Sequence, residues 1–160
     1  TKSNQKFYGN VLQFFPHDYF LGVAYHYRGN KKLAYESYNK SIEYLNNQII
    51  LYPNDARFYT STGLTYARLG DKKKAIEFGL RGVEVLPINK DAFFGPNHEK
   101  GLARIYSIVN EKIKALEMIE YLSSIPNGLH YGELLSDPDF DSIRNEIRFQ
   151  NILLKLKPQS

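Results

Sequence analysis

One phrase is written three times along the chain. YFLGVAYHYRG carries Gly22, Tyr25 and Gly29; STGLTYARLG carries Gly63, Tyr66 and Gly70; GLARIYSIVN carries Ala103, Tyr106 and Asn110. A period of about 40 residues of this kind predicts stacked helix–turn–helix units. Gly and Asn in the third slot fit the left-handed backbone that ends a helix. Ala34, Ala75 and Ala115 follow the tyrosines at one common offset, and Pro53, Pro87 and Pro126 close the second helix of each unit, because proline cannot donate to the helical ladder.

Periodicity agrees. Leu33, Ala34, Tyr38, Ser41, Leu45, Ile49 and Tyr52 recur at three- and four-residue steps, which places them on one helical stripe. Gly22, Gly63 and Ala103 on first helices, with Ala34, Ala75 and Ala115 on second helices, are expected where partners approach most closely. Gly79 and Gly82 sit inside KKKAIEFGLRGVEVL, where each costs about 1 kcal/mol relative to Ala. Close contact with a neighbouring helix would offset that cost.

The units differ in length. Gly29 to Pro53 is longer than Gly70 to Pro87 by about two helical turns, which returns the apolar stripe to the same side. In the next unit the extra residues lie in INKDAFFGPNHEK, where Gly95-Pro96 marks a loop followed by a helix start and Phe93 and Phe94 are expected to fold back onto the stack. Ahead of the first unit, Phe7, Tyr8, Val11, Leu12, Phe14 and Phe15 precede Pro16 and suggest a truncated helix whose partner is missing. Its apolar side, Phe7, Val11 and Phe14, would be partly uncovered and available for a dimer contact. Behind the last unit, Ser136-Asp137-Pro138-Asp139 reads as a turn, and Ile143, Ile147, Ile152 and Leu153 as a cap over the last pair. The expected organisation is a truncated helix at 4–16, units at 17–53, 54–87 and 88–126, and a cap at 127–157. The fold class is all-α, a solenoid of antiparallel helix pairs, about seven long helices without a sheet.

Small residue, Tyr, Gly turn, Ala and closing Pro at these offsets resemble tetratricopeptide repeats over about residues 16–126. In their order, YFLGVAYHYRGN, LTYARLGDKKKAIEFGLRGVEVLP, KDAFFGP, GLARIYSIVNEKIKALEMIEYLSSIP and LLSDPDFDSIRNEIRFQNIL resemble the C-terminal repeat region of bacterial multidomain signalling proteins. There, similar regions follow class III nucleotide cyclases, serine/threonine kinase domains or winged-helix regulators, often with a TolB-like segment between. The resemblance implies a right-handed superhelix with a protein-interaction role and no catalytic residues in this segment.

Composition adds limits. The 160 residues are 42% hydrophobic and 24% charged, the balance of a folded domain. A net charge of +4 with interspersed acids does not argue for a nucleic-acid surface. With no Cys there is no disulfide, thiol chemistry or Cys-rich metal site. No apolar run reaches the roughly 20 residues of a membrane helix, so membrane insertion is not expected. The first residue is Thr and TKSNQ carries no structural signal, so the chain is expected to be a piece of a longer polypeptide. A cytoplasmic setting is expected, or a periplasmic one if a membrane helix precedes it.

No motif for chemistry stands out, and neither a catalytic, a metal nor a cofactor site is expected. His17, His26, His98 and His130 lack metal-ligand spacing; His98-Glu99 begins like a zincin motif, but residue 102 is Leu. Glycines fall at turns and contacts rather than in a phosphate loop. Asn39-Lys40-Ser41 is a formal glycosylation sequon in mid-helix, read as chance. Lys72-Lys73-Lys74 opens a second helix and is read as a solvated surface.

First helices line the hollow of such a stack. The side chains counted onto that hollow are Tyr19, Val23, His26 and Tyr27, then Arg57, Thr60, Leu64 and Arg68, then Asn97, Lys100 and Arg104. Tyr19 and Tyr27 are expected to contact a ligand. Lys100 and Arg104, four apart on one face, are expected to grip carboxylates of an acidic peptide, a protein surface or another domain of the same chain. The chaperone-tail arrangement is not reproduced, since Val23 and Leu64 occupy slots that would have to be polar. The alternative is a spacer or self-associating segment for an upstream domain.

Overall fold

The computed structural model describes residues 6–10 and 12–158. It is mostly helical, as the periodicity predicts. A hairpin of β1 (Phe7–Gly9) and β2 (Phe14–Pro16) leads into α1 (His17–Tyr27), α2 (Lys31–Leu51), α3 (Ala56–Leu69), α4 (Lys72–Val85), α5 (Gly95–Ile108) and α6 (Lys112–Leu122). A short α7 (Tyr131–Ser136), a 3₁₀ turn (Pro138–Phe140) and α8 (Ile147–Leu156) follow. From α1 to α6 each helix packs on the next, and α3 also touches α5.

The repeated phrase turns out to be a helix stop. The backbone N–H of Asn30, Asp71 and Glu111 donates to the carbonyl of Tyr25, Tyr66 and Tyr106 at 2.9, 3.0 and 2.8 Å. Between them Gly29, Gly70 and Asn110 take φ of 74°, 81° and 61°. This is the six-to-one bond of a Schellman motif, which needs a left-handed residue and satisfies a carbonyl left over at the helix end. The next helix starts at once, capped by the Asn30 side chain on the Leu33 N–H and by Asp71 on the Lys74 N–H.

Small residues meet where α3 and α4 cross. A Cβ on Gly63 would stand 2.9 Å from both the Ala75 carbonyl and the Gly79 nitrogen, and one on Gly82 would stand 3.2 Å from the Thr60 nitrogen. Gly79 is covered by Ile105 and Leu102 of α5. Close backbone approach therefore accounts for Gly82, and the side chains of α5 leave no room for a Cβ on Gly79. Ala34, Ala75, Ala103 and Ala115 are all buried. The longer second helix is also present, 21 residues in α2 against 14 in α4. Proline stands at the start of α5, beside Gly95.

The N-terminal segment departs from expectation: it is a hairpin, not a truncated helix. Tyr8 pairs with Phe15 and Gly9 with Phe14, and the Asn10 carboxamide accepts from the N–H groups of Leu12 and Gln13 at 2.7 and 2.9 Å, closing a side-chain-built turn. Strand alternation sends neighbouring side chains to opposite faces. Phe14 packs edge-on against Phe58, while Phe15 stacks on Tyr19; a helix could not divide the pair so. Of the apolar side expected to be uncovered, Phe7 is exposed, Phe14 is buried, and Val11 lies outside the described residues. Phe93 is 59% exposed and Ile147 80%, so neither packs onto the stack, whereas Ile143, Ile152 and Leu153 of the cap are buried against α5 and α6 residues.

Ala75 has no exposed surface and Lys73 is exposed. Ala75→Leu is expected to destabilise by about 1–3 kcal/mol through overpacking, and Lys73→Leu by less than about 0.5 kcal/mol. Thermal denaturation of the two variants checks this; equal melting temperatures would contradict the small-residue contact.

Candidate partner-binding groove

Six of the eleven side chains counted onto the hollow meet. Tyr19 of α1, Arg57, Thr60 and Leu64 of α3, and Asn97 and Arg104 of α5 line one cavity of about 200 Å³. Leu12, Gln13 and Phe15 of the hairpin border it on one side, and Asp139 of the 3₁₀ turn on another. The hairpin is tied down there: the Ser61 hydroxyl donates to the Phe14 carbonyl, and Arg57 Nη1 donates to the Asn10 carbonyl at 2.6 Å. The remaining guanidinium nitrogens of Arg57 hold the Asp55 carboxylate, Nε at 2.9 Å and Nη2 at 2.6 Å. Burial raises the Asp55 pKa, but the Arg57 hydrogen bonds outweigh it and hold the carboxyl below its ordinary value.

The basic end of the hollow is not open. Lys100 Nζ is 3.2 Å from Glu133, Arg104 Nε is 2.6 Å from Asp137, and Arg104 also lies 3.5 Å from Glu133. One helix over, Arg68 pairs with Asp139. The acidic partner expected for Lys100 and Arg104 is thus the chain's own segment from α7 to the 3₁₀ turn. Burial works against the charge on Arg104, yet Asp137, Asp139 and Glu133 outweigh it and raise its pKa. Arg68 behaves alike: burial opposes its charge, and Asp139, with the Tyr19 phenol, holds it in the charged form.

Tyr19 corrects a second expectation. It is 5% exposed, stacked on Phe15 with ring centres 4.6 Å apart, and burial pushes its phenol well above the ordinary tyrosine range. It is a wall of the cavity rather than a free contact. Val23 packs half-buried on the cluster of Tyr19, Tyr38 and Leu64. His26 and Tyr27 stand away from the cavity, with Tyr27 60% exposed and set edge-on to the His26 ring. The structure does not bring these three, Arg68 or Lys100 to the cavity lining.

Sequence reasoning read Asp137 and Asp139 as turn formers and gave Glu133 no role. In the structure these acids meet the cations at 68, 100 and 104. His98, taken for a packing histidine, is 3% exposed, and its Nδ1 lies 2.9 Å from the Thr60 hydroxyl. Among the described residues no three His, Asp or Glu side chains gather as a metal site would need. No helix among them is long and apolar enough to cross a membrane. No protein-family model, curated protein or solved structure matches the chain.

Burial lowers the His98 pKa to about 4, with Asp55 opposing and Arg57 assisting. An unfolded histidine titrates near 6.5, so between these values the unfolded chain binds the extra proton. The stability that His98 contributes as a neutral group is present above pH ~6.5 and is lost as pH falls through ~4, by up to about 3 kcal/mol. Urea unfolding between pH 4 and 7 is expected to show a shallower fall in stability for His98→Gln than for the wild type; matching pH profiles would contradict the assignment.

Proposed function

We propose that the chain is a non-catalytic protein-interaction module: a right-handed superhelix of tetratricopeptide-like helix pairs, part of a larger bacterial signalling protein, that receives a peptide or protein surface on its first helices. The observation that carries this reading is the convergence of Tyr19, Arg57, Thr60, Leu64, Asn97 and Arg104, from three helices, on one cavity. Stacked helix pairs create concave binding surfaces of this kind.

The ion pairs refine the partner. With Lys100, Arg104 and Arg68 already held by Glu133, Asp137 and Asp139, an acidic partner has to compete with carboxylates of the same chain. A cavity of about 200 Å³ walled by Gln13, Asn97 and Tyr19 suits a single neutral polar side chain of a bound peptide. Such an anchor makes hydrogen bonds without displacing an ion pair.

A second reading has its own observation. Tyr8 and Phe20 are exposed together beside the hairpin, Tyr8 set edge-on to Phe20 at 5.4 Å, and Phe7 is exposed where it stacks on Phe14. Clustered exposed aromatics of this sort mark contact surfaces, and a second copy of the chain would cover them. Sedimentation velocity is expected to give a dimer that Tyr8→Ser with Phe20→Ser converts to monomer; a monomeric wild type ends this reading.

For the groove, peptides selected from a random display library against the 160-residue chain are the probe. Asn97→Trp fills the cavity and is expected to weaken the selected peptides at least about tenfold, while Lys73→Trp on the outer surface leaves them unchanged. Selection of no peptide, or equal loss in both variants, would contradict the groove.

A further inference from the structure

A second cavity, of about 500 Å³, lies at one edge of the stack, where the connection from α2 to α3 meets the end of α4 and the start of α5. Of the residues that line the first cavity, Arg57 alone borders this one as well. Its walls include Tyr52, Pro53, Leu86 and Phe94, and His98 lines it beside Asp55. Its volume is that of a small-ligand pocket, and its walls mix these apolar groups with Asn54, Asp55, Arg57 and His98.

The polar groups have definite states. The Thr60 hydroxyl oxygen lies 3.1 Å from the Ala56 carbonyl and 2.9 Å from His98 Nδ1. Donation by the hydroxyl to the carbonyl leaves its oxygen to accept from Nδ1–H, the tautomer that puts a lone pair on Nε2. Among the described residues His98 Nε2 has no hydrogen-bond partner, and His98 lines the cavity. Asp55 is matched by Arg57, so the pair adds no net charge.

We propose that this cavity binds a neutral aromatic group bearing one N–H or O–H donor, with the ring among Tyr52, Leu86 and Phe94 and the donor on His98 Nε2. Charged ligands are disfavoured because the one carboxylate is already paired. The low His98 pKa, a consequence chiefly of burial, keeps Nε2 available as an acceptor at neutral pH. The inference is independent of the groove reading. Its donor-bearing aromatic could come from a free small molecule or from a side chain of a peptide.

Indole and 1-methylindole, which differ in the donor, are the probes, titrated into the ¹⁵N-labelled chain at pH 7. Indole is expected to shift the His98 ring nitrogens and the amides around Asp55 and Phe94 saturably, and 1-methylindole to bind at least about tenfold more weakly. Leu86→Trp, which fills the cavity while leaving the Thr60–His98 hydrogen bond in place, is expected to abolish the shifts with an unchanged helical circular dichroism spectrum. A capped Ala-Trp-Ala peptide separates the sources: its binding at the same amides points to a peptide side chain, and its failure where indole binds points to a free small molecule. Absence of saturable shifts at these residues with indole, equal affinity for the two indoles, or retained binding in folded Leu86→Trp would each overturn the proposal.

Discussion

The arrangement of the molecule hangs on cations of the inner helices meeting carboxylates supplied by the C-terminal segment. Arg68, Lys100 and Arg104 stand on α3 and α5; Glu133, Asp137 and Asp139 come from α7 and the turn after it. None of these charges could be shielded from water singly without a large desolvation cost. Pairing lets the segment lie against α5, and that in turn buries Leu134, Phe140, Ile143 and Phe149 completely. The same pairing reaches toward the other end of the chain, since Arg68 pairs with Asp139 and its charge acts on the Tyr19 phenol. Residues of the hairpin, α1, α3, α5 and the 3₁₀ turn thus meet around one cavity.

Inside the stack a different constraint operates, and it is steric. Gly63, Ala75, Gly79 and Gly82 let α3 and α4 approach until backbone meets backbone, at the cost in helix propensity that glycine always carries. The outer surface follows the repeat as well: Lys74 lies over the Tyr66 ring and Lys114 over the Tyr106 ring, at 5.0 and 5.6 Å. Tyr66 and Tyr106 therefore each serve twice, the carbonyl in the helix stop and the ring beneath a lysine.

These local features were legible because helix stops, small-residue contacts and the Gly95-Pro96 start depend on residues close in sequence. The hairpin was not, because Phe7, Tyr8, Phe14 and Phe15 satisfy a loose helical pattern while Gly9-Asn10 supplies a turn; the division of Phe14 and Phe15 between Phe58 and Tyr19 depends on partners far along the chain. The cavity was half legible. Periodicity put Arg57, Thr60, Leu64, Asn97 and Arg104 on faces of α3 and α5 that line it, but it has no means of showing that a later segment returns to pair with Arg104 and its neighbours. Arg68 and Asp139, or Arg104 and Asp137, share no periodic relation, and only the packing of the cap brings them together. Exposed Phe93 and Ile147 show the converse, apolar residues that tertiary packing leaves outside.

The reading that the groove's basic end is filled by the chain itself can be measured as a coupling energy. A double-mutant cycle of Arg104→Met and Asp137→Leu, followed by urea unfolding at neutral pH, isolates their interaction from the cost of each change alone. The pairing seen here predicts a coupling of about 1–3 kcal/mol that weakens only modestly with added salt, as for charges removed from solvent. A coupling below about 0.5 kcal/mol, the level of an exposed ion pair, would contradict it and return Lys100 and Arg104 to an external acidic partner.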